Sequence, residues 1–202
     1  MVNNPFDSKF SKNLIELKDT RLLYIPNFLS TEDSSHLFSK LLVSLPFESG
    51  EITLFGKTYP KPRLEAFFAE NNLNYSYSGQ KLTTRLFTAD LLSIKSRIEE
   101  IVSFRFNALL VNLYRNGNDS NGWHSDDEKV LGPNPIIASL SLGASRKFEM
   151  QHKQSQERFK IVLEPGSLLV MLEGSQIFWR HQLPKDKKVK EPRINLTFRK
   201  IY

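Results

Sequence analysis

The sequence contains no cysteine, so it can form neither a disulfide bond nor a thiolate metal site. A metal ion would have to be bound by carboxylates and by histidine, which is scarce, with four copies in 202 residues. Apolar runs are too short to cross a bilayer, and the first residues, MVNNPFDSKF, lack the apolar core of a signal peptide. We therefore expect no membrane contact and an intracellular protein, cytoplasmic if bacterial and nuclear if eukaryotic.

What the chain has in excess is positive charge. Its formal net charge is +6 and its sequence pI is about 9.4, with basic clusters in SRKFEMQHK (145–153) and PKDKKVK (184–190). A basic balance favours anionic partners, nucleic acid above all and acidic metabolites after it. Either cluster by itself is equally consistent with a solvated loop.

The chain divides into three segments. Residues 1–20 are polar, and we expect them to be loosely ordered. Residues 21–104 contain two predicted helices, one capped by Ser30 and one that starts after Thr88, with a predicted hairpin in ITLFGKTYPKPR between them. Residues 105–202 are short apolar or alternating runs between turn residues, a pattern typical of a β-sandwich or jelly roll. We expect one integrated α+β domain that acts as a monomer, with the chemistry in its β-region. The runs predicted to be strands are FNALLVNLYR, PIIASLSLG, KFEMQH, FKIVLEPGSLLVML, IFWRH and RINLTFR.

The last of these runs, residues 193–199, alternates strictly between apolar and polar side chains. In a strand such alternation places Arg193, Asn195, Thr197 and Arg199 on one face. An ordinary strand would expose that face to solvent. Alternatively, the polar face lines a cavity, where two arginines could bind both carboxylates of a small dicarboxylic acid. In NALLVNLYR, Asn112 and Tyr114 form a matching polar pair that could donate further hydrogen bonds.

A candidate metal site lies in NGWHSDDE (121–128). His124 and Asp126 are two residues apart, so both can face one ion in an extended segment, whereas Asp127 points elsewhere. Among the other histidines, His152 lies in a basic stretch that we expect to be exposed, and His181 ends a predicted strand shortly before the arginine-lined run. The sequence therefore offers His181 as the third ligand.

Two histidines and one carboxylate on one side of an ion form the facial triad of non-haem Fe(II) oxygenases. The same set can bind catalytic zinc, with Glu128 as a nearby general base. A zinc hydrolase would leave the paired arginines unexplained. An oxygenase that uses a 2-oxo dicarboxylic acid explains both features.

With these residues in place, the sequence resembles the AlkB family of Fe(II)/2-oxoglutarate dioxygenases, in the branch that repairs alkylated bases. The resemblance extends from about residue 50 to the C-terminus, through segments such as NLYRNG, GWHSDDE, WRHQLPK and EPRINLTFRKIY. It implies a double-stranded β-helix (jelly-roll) core with N-terminal helices and a nucleotide-recognition hairpin or lid. It also implies Fe(II) as the metal, with 2-oxoglutarate and O₂ as co-substrates.

Residue by residue, the resemblance implies three groups of site residues. The iron ligands would be His124, Asp126 and His181. The residues that bind 2-oxoglutarate would be Arg193, Arg199, Asn112, Tyr114 and Thr197, with Asn195 supporting that pocket. Asp127 would bind the exocyclic amino group of the target base, and Glu128 would shape the pocket rim.

The resemblance also assigns substrate contacts in the N-terminal half. In NYSYSG (74–79), Tyr77 would stack on the flipped base opposite His124 and Tyr75 would line the pocket, although both could instead be packing residues. In LFGK, which includes Gly56 and Lys57, Phe55 would be either a wedge that fills the gap in a duplex or a core residue of the hairpin. Arg63 matches an arginine near the displaced strand.

The sequence therefore predicts an oxidative demethylase of 1-methyladenine and 3-methylcytosine in DNA, with RNA as a further substrate. Two alternatives remain open at this point. One is a 2-oxoglutarate oxygenase that acts on a protein or small molecule, for which the basic loops would be incidental. The other is a non-catalytic nucleic-acid binder on an inherited fold, which the complete His124, Asp126 and His181 set disfavours.

Overall fold

The computed structural model describes residues 13–54, 56–70, 76–77, 80–81 and 83–202. The helices are α1 Thr31–Ser44, α2 Ala89–Val102 and the single-turn α3 Ser175–Phe178, and a short 3₁₀ helix spans Lys129–Leu131. The strands are β1 Leu14–Leu17, β2 Thr20–Ile25, β3 Glu48–Leu54, β4 Lys57–Ala69, β5 Ser76–Tyr77, β6 Gln80–Lys81, β7 Thr84–Arg85, β8 Ala108–Tyr114, β9 Asn121–His124, β10 Ile137–Gly143, β11 Arg146–His152, β12 Arg158–Leu163, β13 Leu168–Met171, β14 Trp179–Leu183 and β15 Arg193–Arg199.

Most strands belong to two sheets. The larger sheet has the order β1-β2-β13-β10-β15-β8-β4-β3, with β7 paired to β4, and the smaller has the order β12-β11-β14-β9. From β8 to β15 the chain passes repeatedly from one sheet to the other, so each sheet receives four of these strands. This arrangement is the jelly roll predicted from the sequence. The N-terminal half joins the same sheet, since β4 pairs with β8 and β2 pairs with β13.

The two long helices begin where the sequence predicts, and a side-chain cap precedes each. The Ser30 hydroxyl accepts a hydrogen bond from the backbone N–H of Asp33, and the Thr88 hydroxyl accepts one from that of Leu91. The apolar faces of both helices pack on one side of the larger sheet, in a single core. In the part of the chain that the structure describes, no helix is long and apolar enough to span a membrane.

The larger sheet is buried on both faces around β15, all seven residues of which are buried. Ile194, Leu196 and Phe198 belong to the core beneath the helices. The polar residues that alternate with them along β15 face the smaller sheet. The residues of β8, which pairs with β15, are divided between the same two faces. Each fully buried aliphatic or aromatic side chain stabilises the fold by roughly 1.5–3 kcal/mol. Burial of the apolar side chains of β15 under the helices therefore determines that its other face turns toward the smaller sheet.

Three local expectations differ from the structure. Residues 14–17, which we expected to be loosely ordered, form β1 and pair with β2; residues 1–12 lie outside the described residues. The run IFWRH is a strand only from Trp179, because Gly174 adopts φ 86° and starts the single-turn α3. His152 was expected to be exposed but is fully buried, since its ring stacks on Phe178 and its Nε2 lies 3.0 Å from Asp19 Oδ2.

We predict that Gly143→Ala destabilises the fold by at least about 2 kcal/mol. Gly143 ends β10 with φ 80°, and an added Cβ would lie 2.5 Å from Pro192 O and 2.6 Å from Phe38 Cε2. Urea unfolding measures the effect. Gly122→Ala is the matched control, because no atom lies within 4 Å of its added Cβ, and it should change stability by less than about 1 kcal/mol. Equal stability of the two variants would refute the close approach at Gly143.

Candidate active site

Three potential metal ligands converge between the sheets. His124 ends β9, Asp126 follows two residues later, and β14 places His181 directly opposite His124. Their ligand atoms all lie within 4.8 Å of one another, and the two imidazole ring centroids are 4.2 Å apart. The structure therefore brings together the three residues that the sequence proposed as a metal site.

Neighbouring groups hold each ligand in place. His124 Nδ1 lies 2.7 Å from the carbonyl oxygen of Gly122, which leaves Nε2 as the nitrogen that can bind a metal. Asp126 accepts a 2.8 Å hydrogen bond from Arg199 Nη2, and its backbone N–H donates to Gln176 Oε1 at 2.9 Å. The role of Gln176 was missed from the sequence, because nothing in the residues around it links α3 to Asp126.

The protonation states also suit a metal ion. Burial alone would raise the pKa of Asp126, but the charges of Arg199, His124 and His181 hold it at about 2. Burial lowers the pKa of His181 to about 3, and burial also lowers the pKa of His124. At neutral pH the set is therefore one carboxylate and two neutral imidazoles, the forms that bind metal.

Two buried polar atoms without hydrogen-bond partners belong to the same set of residues. Asp126 Oδ1 and His181 Nδ1 are buried, and neither finds a hydrogen-bond partner among the described residues. A buried carboxylate oxygen without a partner is costly, and a bound cation would remove that cost. The donor set, its burial and its protonation states fit a divalent metal such as iron.

We predict that metal-free His181→Asn shows a weaker dependence of stability on pH. Between about pH 3 and pH 6.5 the unfolded chain binds a proton at His181 that the native protein does not. The unfolding free energy of the wild type therefore falls as pH decreases through this window, by up to about 1.4 kcal/mol per pH unit from this group. Urea unfolding in the presence of a chelator, from pH 4 to 7, measures the slope.

His36 provides the control for this experiment, because it lies exposed on α1, away from the site. His36→Asn should retain the slope of the wild type. An unchanged slope in His181→Asn would show that His181 is not held neutral in the native protein.

A polar pocket adjoins the metal ligands. Arg193 is 2% exposed, and its Nη2 donates to Ser141 Oγ at 2.9 Å and to Asn195 Oδ1 at 2.7 Å. Asn195 Nδ2 in turn donates to Thr197 Oγ1 at 2.7 Å. Burial lowers the pKa of Arg193 to about 10, so the guanidinium stays charged at neutral pH. The pocket is lined by Asn112, Tyr114, Asn121, His124, Asp126, Ser139, Phe148, Leu163, Met171, His181, Leu183, Arg193, Asn195, Thr197 and Arg199.

The two arginines of β15 occupy different ends of this pocket. Arg199 contacts Asp126 and so lies at the metal end. Arg193, six residues earlier on the same strand, lies under the ring of Tyr114, with the guanidinium 5.4 Å from the ring centroid. Such a pocket can bind a small dianion, with one carboxylate near the metal and the other near Arg193.

Arg63 is turned inward rather than toward a nucleic-acid surface. It is 5% exposed, and its Nε donates to Glu65 Oε1 at 2.9 Å and to Asn112 Oδ1 at 3.0 Å. Lys61 Nζ donates to the other oxygen of Glu65 at 2.7 Å. Because the side-chain oxygen of Asn112 accepts from Arg63, Asn112 can offer its amide N–H groups to other partners. The alternation of Lys61, Arg63 and Glu65 in β4 could have revealed this cluster from the sequence.

The remaining candidate residues that the structure describes include the two acids after Asp126 and the tip of the β3–β4 hairpin. Asp127 is exposed, with an oxygen 3.7 Å from Lys153 Nζ. Glu128 is half-buried, and burial together with the charge of Asp126 raises its pKa. Gly56 and Lys57 are exposed at the tip of the β3–β4 hairpin. Phe55 and Tyr75 lie outside the described residues, and for Tyr77 the structure describes only the backbone, in β5.

The basic cluster at 145–153 does not form one surface. Arg146 is 2% exposed, and its Nη2 donates to the carbonyl oxygens of Asp119 and Pro184. It thereby ties the segment after β8 to the basic segment 184–190. Lys147, the next residue, is exposed. The charge run therefore combines a structural arginine with solvent-exposed lysines.

Fold and site together define a jelly-roll protein with a two-histidine, one-carboxylate centre, as in non-haem iron oxygenases. The model of the 2OG-Fe(II) oxygenase superfamily matches residues 21–199, and the chain belongs to this family. Similar proteins include alkB homolog 3, an alpha-ketoglutarate-dependent dioxygenase of Bos taurus, at 42% identity over 91% of this chain and 67% of that protein. The DNA oxidative demethylase ALKBH2 of Homo sapiens is 35% identical over 84% of this chain and 69% of that protein. These relatives confirm the resemblance to the AlkB family.

Solved structures share the fold at low sequence identity. OsALKBH1 superimposes with a TM-score of 0.63 at 16% identity and covers 93% of this chain and 99% of its own. A 2OG-Fe(II) oxygenase family protein from Burkholderia pseudomallei gives a TM-score of 0.60 at 14% identity, over 88% of this chain and 84% of its own. At these identities the likeness establishes the fold alone.

Proposed function

We propose that this protein is an oxidative demethylase that removes methyl groups from 1-methyladenine and 3-methylcytosine in DNA. The observation that carries the proposal is the convergence of His124, Asp126 and His181 beside a pocket with two arginines on one strand. Its relatives include a DNA oxidative demethylase, and the net charge of +6 favours an anionic polymer as substrate.

Iron, O₂ and 2-oxoglutarate would supply the oxidation that converts an N-methyl group to an N-hydroxymethyl group, with succinate and CO₂ as co-products. The hydroxymethyl group then leaves as formaldehyde, and the ring nitrogen is restored. His124, Asp126 and His181 would hold the iron. Arg199, through its 2.8 Å contact with Asp126, would keep that carboxylate ionised and oriented.

The side chains of β15 and β8 would bind the co-substrate. Arg193 is held by Ser141 and Asn195, so its guanidinium is oriented before any ligand arrives. Arg199 and Tyr114 would complete the contacts to the two carboxylates. Asn112, whose oxygen accepts from Arg63, would donate an N–H to an oxygen of the co-substrate.

The target base would enter at the side where His124 is partly exposed. Asp127 would accept a hydrogen bond from the exocyclic amino group, and Glu128 would shape the rim beside Asp126. Tyr77 would stack on the base opposite His124, and Tyr75 would line the pocket. Flipping the base out of a duplex costs a few kcal/mol, and it costs least for a methylated base that no longer pairs.

Incubation of a DNA oligonucleotide carrying one 3-methylcytosine with protein, iron and 2-oxoglutarate should yield cytosine and formaldehyde by mass spectrometry. His124→Ala should abolish this conversion, whereas His36→Ala, at an exposed histidine on α1, should retain it. An RNA oligonucleotide of the same sequence tests whether RNA is also a substrate. If oligonucleotides stay methylated while iron and 2-oxoglutarate bind, the substrate is a protein or small molecule.

A further inference from the structure

The two tryptophans of the chain differ sharply in exposure. Trp179 is fully buried, and its indole N–H donates to the carbonyl oxygen of Lys18 at 2.8 Å. Trp123 is 38% exposed, although it directly precedes the metal ligand His124. Tryptophan is enriched at binding interfaces, because its indole combines a large apolar surface with a hydrogen-bond donor.

Arg180 lies over the indole ring of Trp123, with the guanidinium carbon 5.3 Å from the ring centroid. Its Nε and Nη2 both donate to Gln151 Oε1, at 3.1 and 2.7 Å, so the guanidinium is fixed in position. Because the side-chain amide of Gln151 is neutral, it does not compensate the charge of Arg180, and no carboxylate among the described residues is paired with this arginine. The pair is a preformed aromatic platform with a positive charge on one side.

The surrounding face of the smaller sheet is basic. Every second side chain of β11, β12 and β14 points away from the pocket, on the face marked by the exposed positions of β12. The cations on this outer face are Arg180, Lys147, Arg158 and Lys160, and the one carboxylate among these strand positions is Glu149. A face with this charge complements a phosphate backbone.

The platform lies at the edge of the sheet next to the catalytic pocket. β9 is the edge strand, and consecutive residues of a strand point to opposite faces. His124 therefore faces the pocket while Trp123 faces outward from the same edge. A nucleic-acid strand that inserts one base beside His124 can pass over β9 and bring an adjacent base to Trp123.

We propose that Trp123 and Arg180 form a second nucleic-acid contact, on which an unpaired base adjacent to the target base stacks. The inference rests on the proposed function and adds a binding site outside the catalytic pocket. Stacking of a base on an aromatic side chain is tolerant of sequence, because every base has a π-face. The platform would therefore increase affinity for the strand without restricting its sequence.

The test measures binding of a fluorescently labelled ten-nucleotide single-stranded DNA with one central 3-methylcytosine, using the iron-loaded protein with 2-oxoglutarate and no oxygen. Trp123→Ala should weaken binding about 5- to 100-fold. Trp123→Phe, which retains a π-face, should recover most of the affinity. Val162→Ala removes an exposed apolar side chain at the far edge of the same sheet and should have no effect.

A second measurement identifies the stacked base. Oligonucleotides with an abasic site immediately 5′ or 3′ of the 3-methylcytosine are compared with the parent. With wild-type protein, one of the two should bind as weakly as the parent binds Trp123→Ala. When Trp123→Ala binds that abasic oligonucleotide, the losses of affinity from the substitution and from the abasic site should not add, because both remove the same contact.

Three outcomes would overturn the proposal that this platform binds a base. The first is unchanged affinity in Trp123→Ala, and the second is additive losses with both abasic oligonucleotides. The third is a loss of iron affinity in Trp123→Ala that accounts for the weaker binding, which would mean that Trp123 only positions His124. Conversion of 3-methylcytosine by the wild type under oxygen is measured separately, so failure of the platform is distinguishable from failure of the demethylase proposal.

Discussion

Asp126→Ala should lower the affinity for Fe(II) by at least about 100-fold and abolish turnover. Loss of groups that only support a ligand already costs 10- to 100-fold, and Asp126 would be a ligand itself. It is 1% exposed and ionised well below neutral pH, with a pKa of about 2. Its removal also takes away the carboxylate that Arg199 contacts at 2.8 Å. Calorimetric titration with Fe(II) under anaerobic conditions measures the affinity directly.

Asp127→Asn is the matched control, because Asp127 is the adjacent acid and is exposed. Its affinity for Fe(II) should stay within a few-fold of the wild type. Asp126→Asn keeps the shape of the side chain and removes the charge, so it should also lose iron if charge is required. Tight Fe(II) binding by Asp126→Asn and Asp126→Ala would exclude Asp126 as a ligand.

Arg193→Lys should raise the dissociation constant for 2-oxoglutarate by about 30-fold or more, while Fe(II) still binds. Lysine retains the charge but not the planar fork, which here contacts Ser141 and Asn195 and can offer paired donors to a carboxylate. A hydrogen bond to a charged group is worth about 1.5–3 kcal/mol, so loss of one or two donors to the carboxylate accounts for the expected change. Equilibrium dialysis with labelled 2-oxoglutarate measures it.

A 2-oxo acid without a second carboxylate, 2-oxovalerate, tests which end of the co-substrate Arg193 binds. The wild type should strongly prefer 2-oxoglutarate, and Arg193→Leu should lose that preference. Arg105→Lys, at a guanidinium that is 85% exposed, is the control and should behave as the wild type. A preserved preference in Arg193→Leu would place the far carboxylate elsewhere in the pocket.

The sequence by itself determined the two long helices, the last strand and the three candidate metal ligands. Alternation with a period of two separated Arg193, Asn195, Thr197 and Arg199 from the apolar residues of the same strand, and β15 has the bounds that this pattern predicts. The same rule separated Asp126 from Asp127, one of which is buried and the other exposed. These inferences succeed because they depend on the geometry of one strand.

Only the tertiary structure decided how distant segments meet. The pairing of β9 with β14 places His181 opposite His124, although spacing in the chain cannot show which strands become neighbours. Likewise, alternation in β15 could not tell a cavity from solvent. The fold settles it, because the helices bury the apolar face and the smaller sheet covers the polar face. His152, expected to be exposed in a basic stretch, and Arg63, assigned by resemblance to a nucleic-acid contact, are both buried. Asp19 and Glu65 supply their partners through the fold. The exposure of Trp123 and its contact with Arg180 were likewise decided by the fold, because they depend on which strand forms the edge of the sheet.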